Sequence, residues 1–594
     1  LGSDPSYPSW IGWLGDEGRW TQVGREWMLF GAVDLNAPLS RSHLILGPLF
    51  QAIQAVAFRV FGVGIVVARW VSVLAGLTLI ATAWWFLRPR VGTWAAAVVV
   101  ALLAVHPDLV FFSRVAIPEM ASLALQLLGF ALLVGAPRTR GRAFGAGVAV
   151  AVAMGLKGTV APLLIVFMAV AVGTGRPGDP ASRWSRCGLF VVPILGPALV
   201  FLLAIGATMG SLQGSIGDIL QFAQLDSLYG AFSVLYVGEW TIRANVLLAA
   251  LWSVGVALAL SGAPDSEERT LFTGALIWAA GWIALSSALL YFPERYVVHV
   301  HVPLVLALGA GLLMLRSQEH GFRAAIEGVA RGRRRWVFAA AFVVPLAIQI
   351  TAAGFSWAAA AGLSAGGMRE HAGAVTLVTL LLATWLAARW SVGAVLLAGF
   401  ALPLGMATAW SAVDLLEGFQ VYWGGGAGDA MAWVWVFGAA IVGALLALRL
   451  QGPDGSRVHR LVLAYVGALA IVWVADRVDR LNRRTYALDE IRASLVDRYP
   501  EGSVIRVQAA SSVLIDTRFR VAYPGWDGPA PDILLALEHE PPYFDVTGYR
   551  EVAEFGAPFG PRHYYDNPVW DRIRIYERVE MSPSPGVVVR PESP

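Results

Sequence analysis

The sequence predicts an α-helical, polytopic membrane protein of about 14 spans, carrying a small α/β domain at its C-terminal end. Three observations lead there. Only 14% of the 594 residues are charged and 57% are hydrophobic, with a mean hydropathy of +0.62; a soluble chain carries roughly 25% charged residues. Apolar segments of spanning length then follow one another from about residue 63 to residue 475, separated by short polar turns. Finally, the arginines alternate between successive loops, as they do when every second loop faces the cytoplasm.

The same composition excludes several classes. A net charge of +3 with no long Lys/Arg run gives no footprint for a nucleic acid. The single cysteine, Cys187, cannot form an intrachain disulfide or a Cys-based metal cluster, and beside its apolar run it reads as a packing residue. The chain opens at Leu1 in a polar, Trp-rich stretch, and one further span is expected to precede it.

Taken in order, residues 1–61 read as a first outer loop. Its end, Leu44–Phe61, holds Pro48, Gln51, Gln54 and Arg59 and is too polar for a clean span, which suits the interface. Spans are expected at about 63–87, 93–111, 117–135, 143–156, 158–174, 187–208, 242–262, 271–291, 296–315, 336–353, 373–388, 391–411, 431–448 and 458–475, each judged against a hydrocarbon core of ~30 Å. The segment at 143–156 is short and Gly-rich.

Alternate loops carry Arg88 and Arg90; Arg138, Arg140 and Arg142; Arg176, Arg183 and Arg186; Arg269; the run from Arg316 to Arg335; Arg389; and Arg449, Arg457 and Arg460. The loops between them hold only Arg114, Lys157, Arg295 and Arg369. The positive-inside rule places the first set in the cytoplasm and the second set outside, together with Asp16 and Glu17. At about Asp476 the composition changes. Leu488, Ile491 and Leu495 have helical spacing, and 504–507, 533–537 and 572–576 have the look of short strands. Residues 1–475 thus form the membrane part, and 476–594 a small outer α/β domain with a frayed Pro/Ser-rich end.

The charged residues on the outer side are few and distinctive. Gly15-Asp16-Glu17-Gly18-Arg19-Trp20 puts two carboxylates, an arginine and an aromatic immediately before the apolar chain, where uncompensated charge is costly. A solvated loop is the plain alternative. Ser113-Arg114 leads to Pro118-Glu119 at a span start; Pro118 suits a first helical position, and Glu119 suits the positive end of the helix dipole, so capping competes with chemistry there. Lys157, in the turn Leu156-Lys157-Gly158, is the only lysine in the chain. Its compact ammonium is either selected for or a chance survivor. Pro293-Glu294-Arg295-Tyr296 opens another span, followed by His299 and His301, which two apart on a helix do not share a face.

Carboxylates at 16, 17 and 119 with cations at 19, 114, 157 and 295 have the parts for transfer from a lipid phosphate. A base activates an acceptor hydroxyl, fixed cations hold the phosphate as it leaves, and a groove between spans holds the lipid tail. These stretches resemble the signatures of GT-C membrane glycosyltransferases, in the branch of protein mannosyltransferases and aminoarabinose transferases that use polyprenyl-phosphate donors. Asp16-Glu17-Gly18-Arg19-Trp20 resembles the first-loop "DE-x-R-Y/W" element, and Arg114 to Glu119 the "AR-xxx-D" element, with Glu where Asp is usual. Leu156-Lys157-Gly158 resembles the "L-T/S-K-G" turn, and Pro293-Glu294-Arg295-Tyr296 the "P-x-R-Y" turn. Where that branch often has Lys or His before Pro-Pro-Leu, this chain has Ser40-Arg41-Ser42-His43-Leu44, so Arg41 and His43 are loose substitutes.

The resemblance implies inverting displacement at C1 of a polyprenyl-phosphate sugar, a hexose or a pentose, by a hydroxyl of a protein, lipid or glycan. Asp16 is then the base, and Glu17 or Glu119 positions the acceptor or a cation. Lys157, Arg295, Arg19 and Arg114 hold the donor phosphate, while His43, Arg41 and Tyr296 line the acceptor side. A divalent metal is compatible with this branch. A nucleotide is not called for, and G-x-x-x-x-G-K-[ST] is absent from the sequence. Two other readings are a transporter or lipid flippase, which calls for charges within spans and two related halves, and an inactive assembly protein whose outer domain binds a partner.

Overall fold

The computed structural model describes residues 13–33, 43–135, 139–174, 180–208, 267–287, 298–317, 487–507, 511–522, 530–537, 548–556 and 572–579, with single residues at 296, 474 and 546. The spans expected at 242–262 and between 336 and 475 lie outside them, Val474 excepted.

The helices are α1 (Trp13–Phe30), α2 (Pro48–Phe61), α3 (Ile65–Val105), α4 (Pro107–Phe112), α5 (Glu119–Val134), α6 (Arg140–Leu156), α7 (Leu163–Gly173), α8 (Pro180–Thr208), α9 (Glu267–Ser287), α10 (Val298–Ser317) and, in the C-terminal part, α11 (Ala487–Arg498). The described residues of the first loop are therefore mostly helical, and the stretch expected at the interface is α2, packed along α1. Gly24 lets the two approach, since a Cβ there would meet the Ala55 backbone at 3.2 Å.

α3 is continuous in backbone hydrogen bonding but not straight. Gly92, at φ 76° and ψ 164°, breaks it three residues after Pro89. A Cβ on Gly76 would lie 2.5 Å from the Ser113 hydroxyl, and Ser72 donates to the Ile117 carbonyl at 3.1 Å. A straight helix would separate positions 76 and 113 by about 55 Å, so the chain reverses at Gly92 into two antiparallel arms. That is the turn expected between the first two spans. The second arm stops earlier than expected, at Val105. Pro107 cannot donate into a continuing helix and pushes His106 to an extended ψ of 126°, and the chain restarts as α4. The Gly-rich segment at 143–156 is a full helix of 17 residues, α6, whose start Thr139 caps by accepting from the Arg142 amide. α7 is shorter than its expected span because residues 158–160 form a 3₁₀ turn first.

The bundle buries polar groups within its apolar core and exposes large apolar side chains. Leu74, Leu77, Trp85 and Trp94 on α3, Val148 and Val152 on α6, and Val192, Leu195 and Leu199 on α8 are exposed, Trp94 at 82%. Arg69, Ser72, Glu119, Gln126, Lys157, His299 and His301 are buried. Lipid, not water, is the solvent that fits such a surface. By length and apolarity alone, one described helix, Ile65–Val105, passes as a spanning helix; Pro48–Phe61, Glu119–Val134, Leu163–Gly173 and Val298–Ala307 are shorter apolar helices.

α5 gives the bundle its two ends. At its C-terminus, a Cβ on Gly135 would touch the guanidinium groups of Arg90 and Arg142, Arg186 donates to the Leu133 carbonyl at 2.6 Å, and Arg90 pairs with Glu267 at 3.8 Å. Three loops expected on one side thus converge there, cations facing the negative end of the helix dipole. At the N-terminus of α5, about 24 Å away, sits Glu119.

The C-terminal part contains a five-stranded sheet in the order β2-β1-β3-β5-β4, with β1 Val504–Val507, β2 Arg520–Ala522, β3 Ile533–Leu537, β4 Tyr549–Gly556 and β5 Arg572–Arg578. β1 pairs parallel with β2 and β3, while β5 runs antiparallel to β3 and β4. The strands expected from the sequence are β1, β3 and β5. Leu488, Ile491 and Leu495 are all buried, which makes them the inner face of α11.

This part is tied to α1. Arg25, 1% exposed, donates to the carbonyls of Ile515, Thr517 and Phe519 at 3.2, 2.6 and 2.7 Å. A Cβ on Gly18 would lie 2.4 Å from the Ser511 backbone. The Asp516 carboxylate accepts the Ile65 amide at the start of α3 and pairs with Arg492 of α11 at 2.8 Å. The sheet therefore lies at the Glu119 end of the bundle, away from the arginine cluster.

Candidate active site

Glu17 organises the first loop. Its carboxylate takes a bidentate pair from Arg69, 2.7 Å to Nε and 2.9 Å to Nη2, and also accepts the Ala116 amide at 2.9 Å. Both side chains are almost wholly buried, at 0% and 1% exposed. A charge buried in this way persists only when fully compensated, and the fork geometry supplies that. α1, the first arm of α3 and the turn before α5 meet at this carboxylate. Its oxygens are engaged by the protein, so Glu17 braces the loop that carries Asp16. Arg69→Met is expected to lower stability by ~3–5 kcal/mol through the orphaned carboxylate, and Glu17→Gln added to it to recover most of the loss. Thermal unfolding midpoints of the purified variants check both.

Asp16, in the first turn of α1, keeps 11% of its side chain exposed and stands 4.0 Å from Arg19, itself 25% exposed. Trp20 packs inward, edge-on to His43 at 4.7 Å between ring centroids and to Phe50 at 6.0 Å. Gly47 must be small here, since a Cβ would strike both the Trp20 ring at 2.6 Å and the Leu156 carbonyl at 2.7 Å.

Leu156 leads into the second pair. Lys157 caps α6 in an extended conformation, φ −148°, and its Nζ donates to Glu119 at 2.6 Å while lying 4.2 Å from the centre of the Tyr296 ring. Glu119 is the first residue of α5, where the helix dipole favours a carboxylate; capping and ion pairing are thus the same placement. Gly158 lets the turn pass the Leu46 carbonyl, which a Cβ would meet at 3.1 Å. The ammonium has three donors. Among the described residues, one goes to Glu119 and one face looks onto the tyrosine, which leaves a donor for an anion. Tyr296 is held in turn by Trp282, whose indole donates to its carbonyl at 2.8 Å.

Arg114 sits in the turn after α4, its amide bonded to the Phe111 carbonyl at 2.8 Å. Arg41 and Arg295 lie outside the described residues. Of the expected site, then, residues 16–20, 43, 114–119, 157 and 296 come together at one end of the bundle. As anticipated, the two histidines of α10 diverge. His299 Nδ1 meets the Gln126 amide oxygen at 3.2 Å, and Gln126 donates to Ser122 at 3.0 Å. His301 turns toward His106 and Asp108. Reading the sequence missed Arg69, although a charge inside an expected span was signal enough.

A family model described as "Dolichyl-phosphate-mannose-protein mannosyltransferase" matches residues 46–204. Among solved structures, ArnT from Cupriavidus metallidurans in the apo state aligns with a TM-score of 0.51 at 17% identity, over 97% of this chain and 95% of that one. The chain therefore has the fold of ArnT. The same ArnT bound to undecaprenyl phosphate aligns at 0.49 and 16% identity, over 97% and 95% of the two chains. Among curated proteins no sequence matches. The resemblance read from the four short stretches thus has the fold it implies, and the family match runs through two of them, Arg114 to Glu119 and Leu156-Lys157-Gly158.

Proposed function

We propose that this protein transfers a glycosyl group from a polyprenyl-phosphate sugar to a hydroxyl acceptor on the outer face of the membrane, with inversion at C1. The observation that carries it is the meeting of Lys157, Glu119 and Tyr296 with the Asp16-Glu17 turn at one end of a GT-C bundle. The described family match supports the donor class, since that family is described by a dolichyl-phosphate-linked sugar. The arginine cluster at the opposite end supports placing the site outside.

In this reading the Asp16 carboxylate takes the proton of the acceptor hydroxyl as its oxygen attacks C1. The bond from C1 to the phosphate oxygen breaks, and polyprenyl phosphate leaves with the bonding pair. Lys157 holds the developing phosphate charge together with Arg295 and Arg19, and Glu119 sets the position of the ammonium. His43 and Arg114 border the acceptor and donor approaches, and Arg41 is assigned to the acceptor by the resemblance alone. Residues 476–594 form the outer domain, fastened to α1 through Arg25, and border the space the acceptor enters.

Purified protein in detergent is to be incubated with polyprenyl-phosphate hexoses and pentoses and a cell-envelope extract as the source of acceptor hydroxyls, with acceptor-dependent release of polyprenyl phosphate as the readout. Mass spectrometry of surface glycans, glycolipids and glycoproteins from cells with and without the gene then identifies the product. One donor should turn over, and one class of surface sugar should vanish with the gene. Unchanged surface chemistry together with leaflet-to-leaflet movement of the intact donor in reconstituted vesicles would make the protein a transporter instead.

A further inference from the structure

Beyond the transfer site, the start of α10 and the junction between α3 and α4 enclose a second cluster. His106, Asp108 and His301 are all buried, and each offers a ligand atom within 4.8 Å of the others. His301 Nε2 and Asp108 Oδ2 are 2.5 Å apart, and the rings of His106 and His301 lie 4.3 Å apart, tilted by 30°. We propose that these three side chains bind one transition-metal dication of the zinc class.

The backbone explains why the three converge. Two residues apart on a regular helix, His106 and Asp108 would point in different directions. His106, however, is extended before Pro107, and Asp108 lies in the first turn of α4. The break swings both side chains to the same side. His301 comes from α10, in the first turn of that helix, and faces them across the bundle. Histidine's borderline-soft nitrogen selects zinc, cobalt, nickel or iron over magnesium and calcium, which prefer an all-oxygen shell. Two imidazoles and a carboxylate are three ligands of the kind that open zinc sites use. A dication also compensates the buried Asp108 carboxylate, taking the place of the direct contact between His301 and Asp108.

The consequence is structural. A metal here would pin α10 to the turn that leads, through α4, into Arg114 and Glu119. Tyr296, two residues before α10, is thereby held against Lys157. The inference does not depend on what the site transfers, and its test needs no glycosyl donor.

Full-length protein in detergent, stripped with a chelator and dialysed, is to be titrated with Co²⁺ and followed by visible d–d absorption. Zn²⁺ per chain is measured in parallel by mass spectrometry. The expected result is one metal per chain, d–d bands of a low-coordinate nitrogen and oxygen site, and a rise in Tm on adding Zn²⁺. Asp108→Asn and His301→Gln should lose all three signals, whereas His299→Gln, only two residues away but facing Gln126, should keep them. Substoichiometric metal in the wild type overturns the proposal and leaves a buried His–Asp pair. So does metal that survives in both Asp108→Asn and His301→Gln, which marks an adventitious site, or metal that is lost equally in His299→Gln.

Discussion

Asp16→Asn is expected to lower turnover by about 10²–10⁴-fold, the range general-base catalysis contributes, with donor binding largely retained. The asparagine keeps size and hydrogen bonding but cannot accept the acceptor's proton. The structure sharpens the expectation by separating the adjacent carboxylates. Glu17 is fully enclosed between Arg69 and the Ala116 amide, whereas Asp16 keeps part of its side chain open beside Arg19. Glu17→Gln should therefore act first on stability, by weakening the brace, and Asp16→Asn on kcat with an unchanged Tm. Initial rates on a polyprenyl-phosphate sugar, with unfolding midpoints for both variants, make the comparison. Near-normal rates in a folded Asp16→Asn would move the base elsewhere.

What was legible in the sequence was whatever lies within one element or one short turn. Pro118 before Glu119, the Lys157-Gly158 turn and the helical spacing of Leu488, Ile491 and Leu495 each encode a local geometry, and the structure has those geometries. The alternation of arginines encodes something longer in range, because a whole loop's charge decides its side. Arg90, Arg142 and Arg186, expected on one side, do gather at one end of α5. Pairings between elements are a different matter. Arg69 lies 52 residues from Glu17, and His301 lies 193 from Asp108; no periodicity links such positions, and only the packing of the bundle brings them together. The sequence did carry one unread clue. Arg69 and Asp108 fall inside expected spans, where a charge needs a partner. The docking of Arg25 onto three carbonyls was invisible for a related reason, since an arginine's backbone partners leave no trace in side-chain pattern.

Lys157 carries the second large effect, and two kinds of variant separate its charge from its shape. Lys157→Met removes the ammonium that pairs with Glu119, 0% exposed, and so breaks a buried ion pair from one side. The expected stability loss is ~3–5 kcal/mol, and any fall in activity there is confounded by unfolding. Adding Glu119→Gln removes the buried negative charge and should recover most of the Tm. Activity should stay down by about 10²–10³-fold, the cost of losing one donor to the developing charge. Lys157→Arg keeps the charge and tests the fit. The ammonium sits 2.6 Å from a glutamate oxygen and 4.2 Å from the Tyr296 ring centre, at 1% exposure. A planar guanidinium is wider and reaches further; it can keep Glu119 only by pushing Tyr296 aside or by abandoning the approach to the phosphate. Transfer should fall at least about tenfold, the equivalent of ~1.4 kcal/mol in the barrier, with a Tm near that of the wild type. If Lys157→Arg and the wild type turn over at equal rates, a compact ammonium is not required, and Lys157 serves the fold through Glu119 alone.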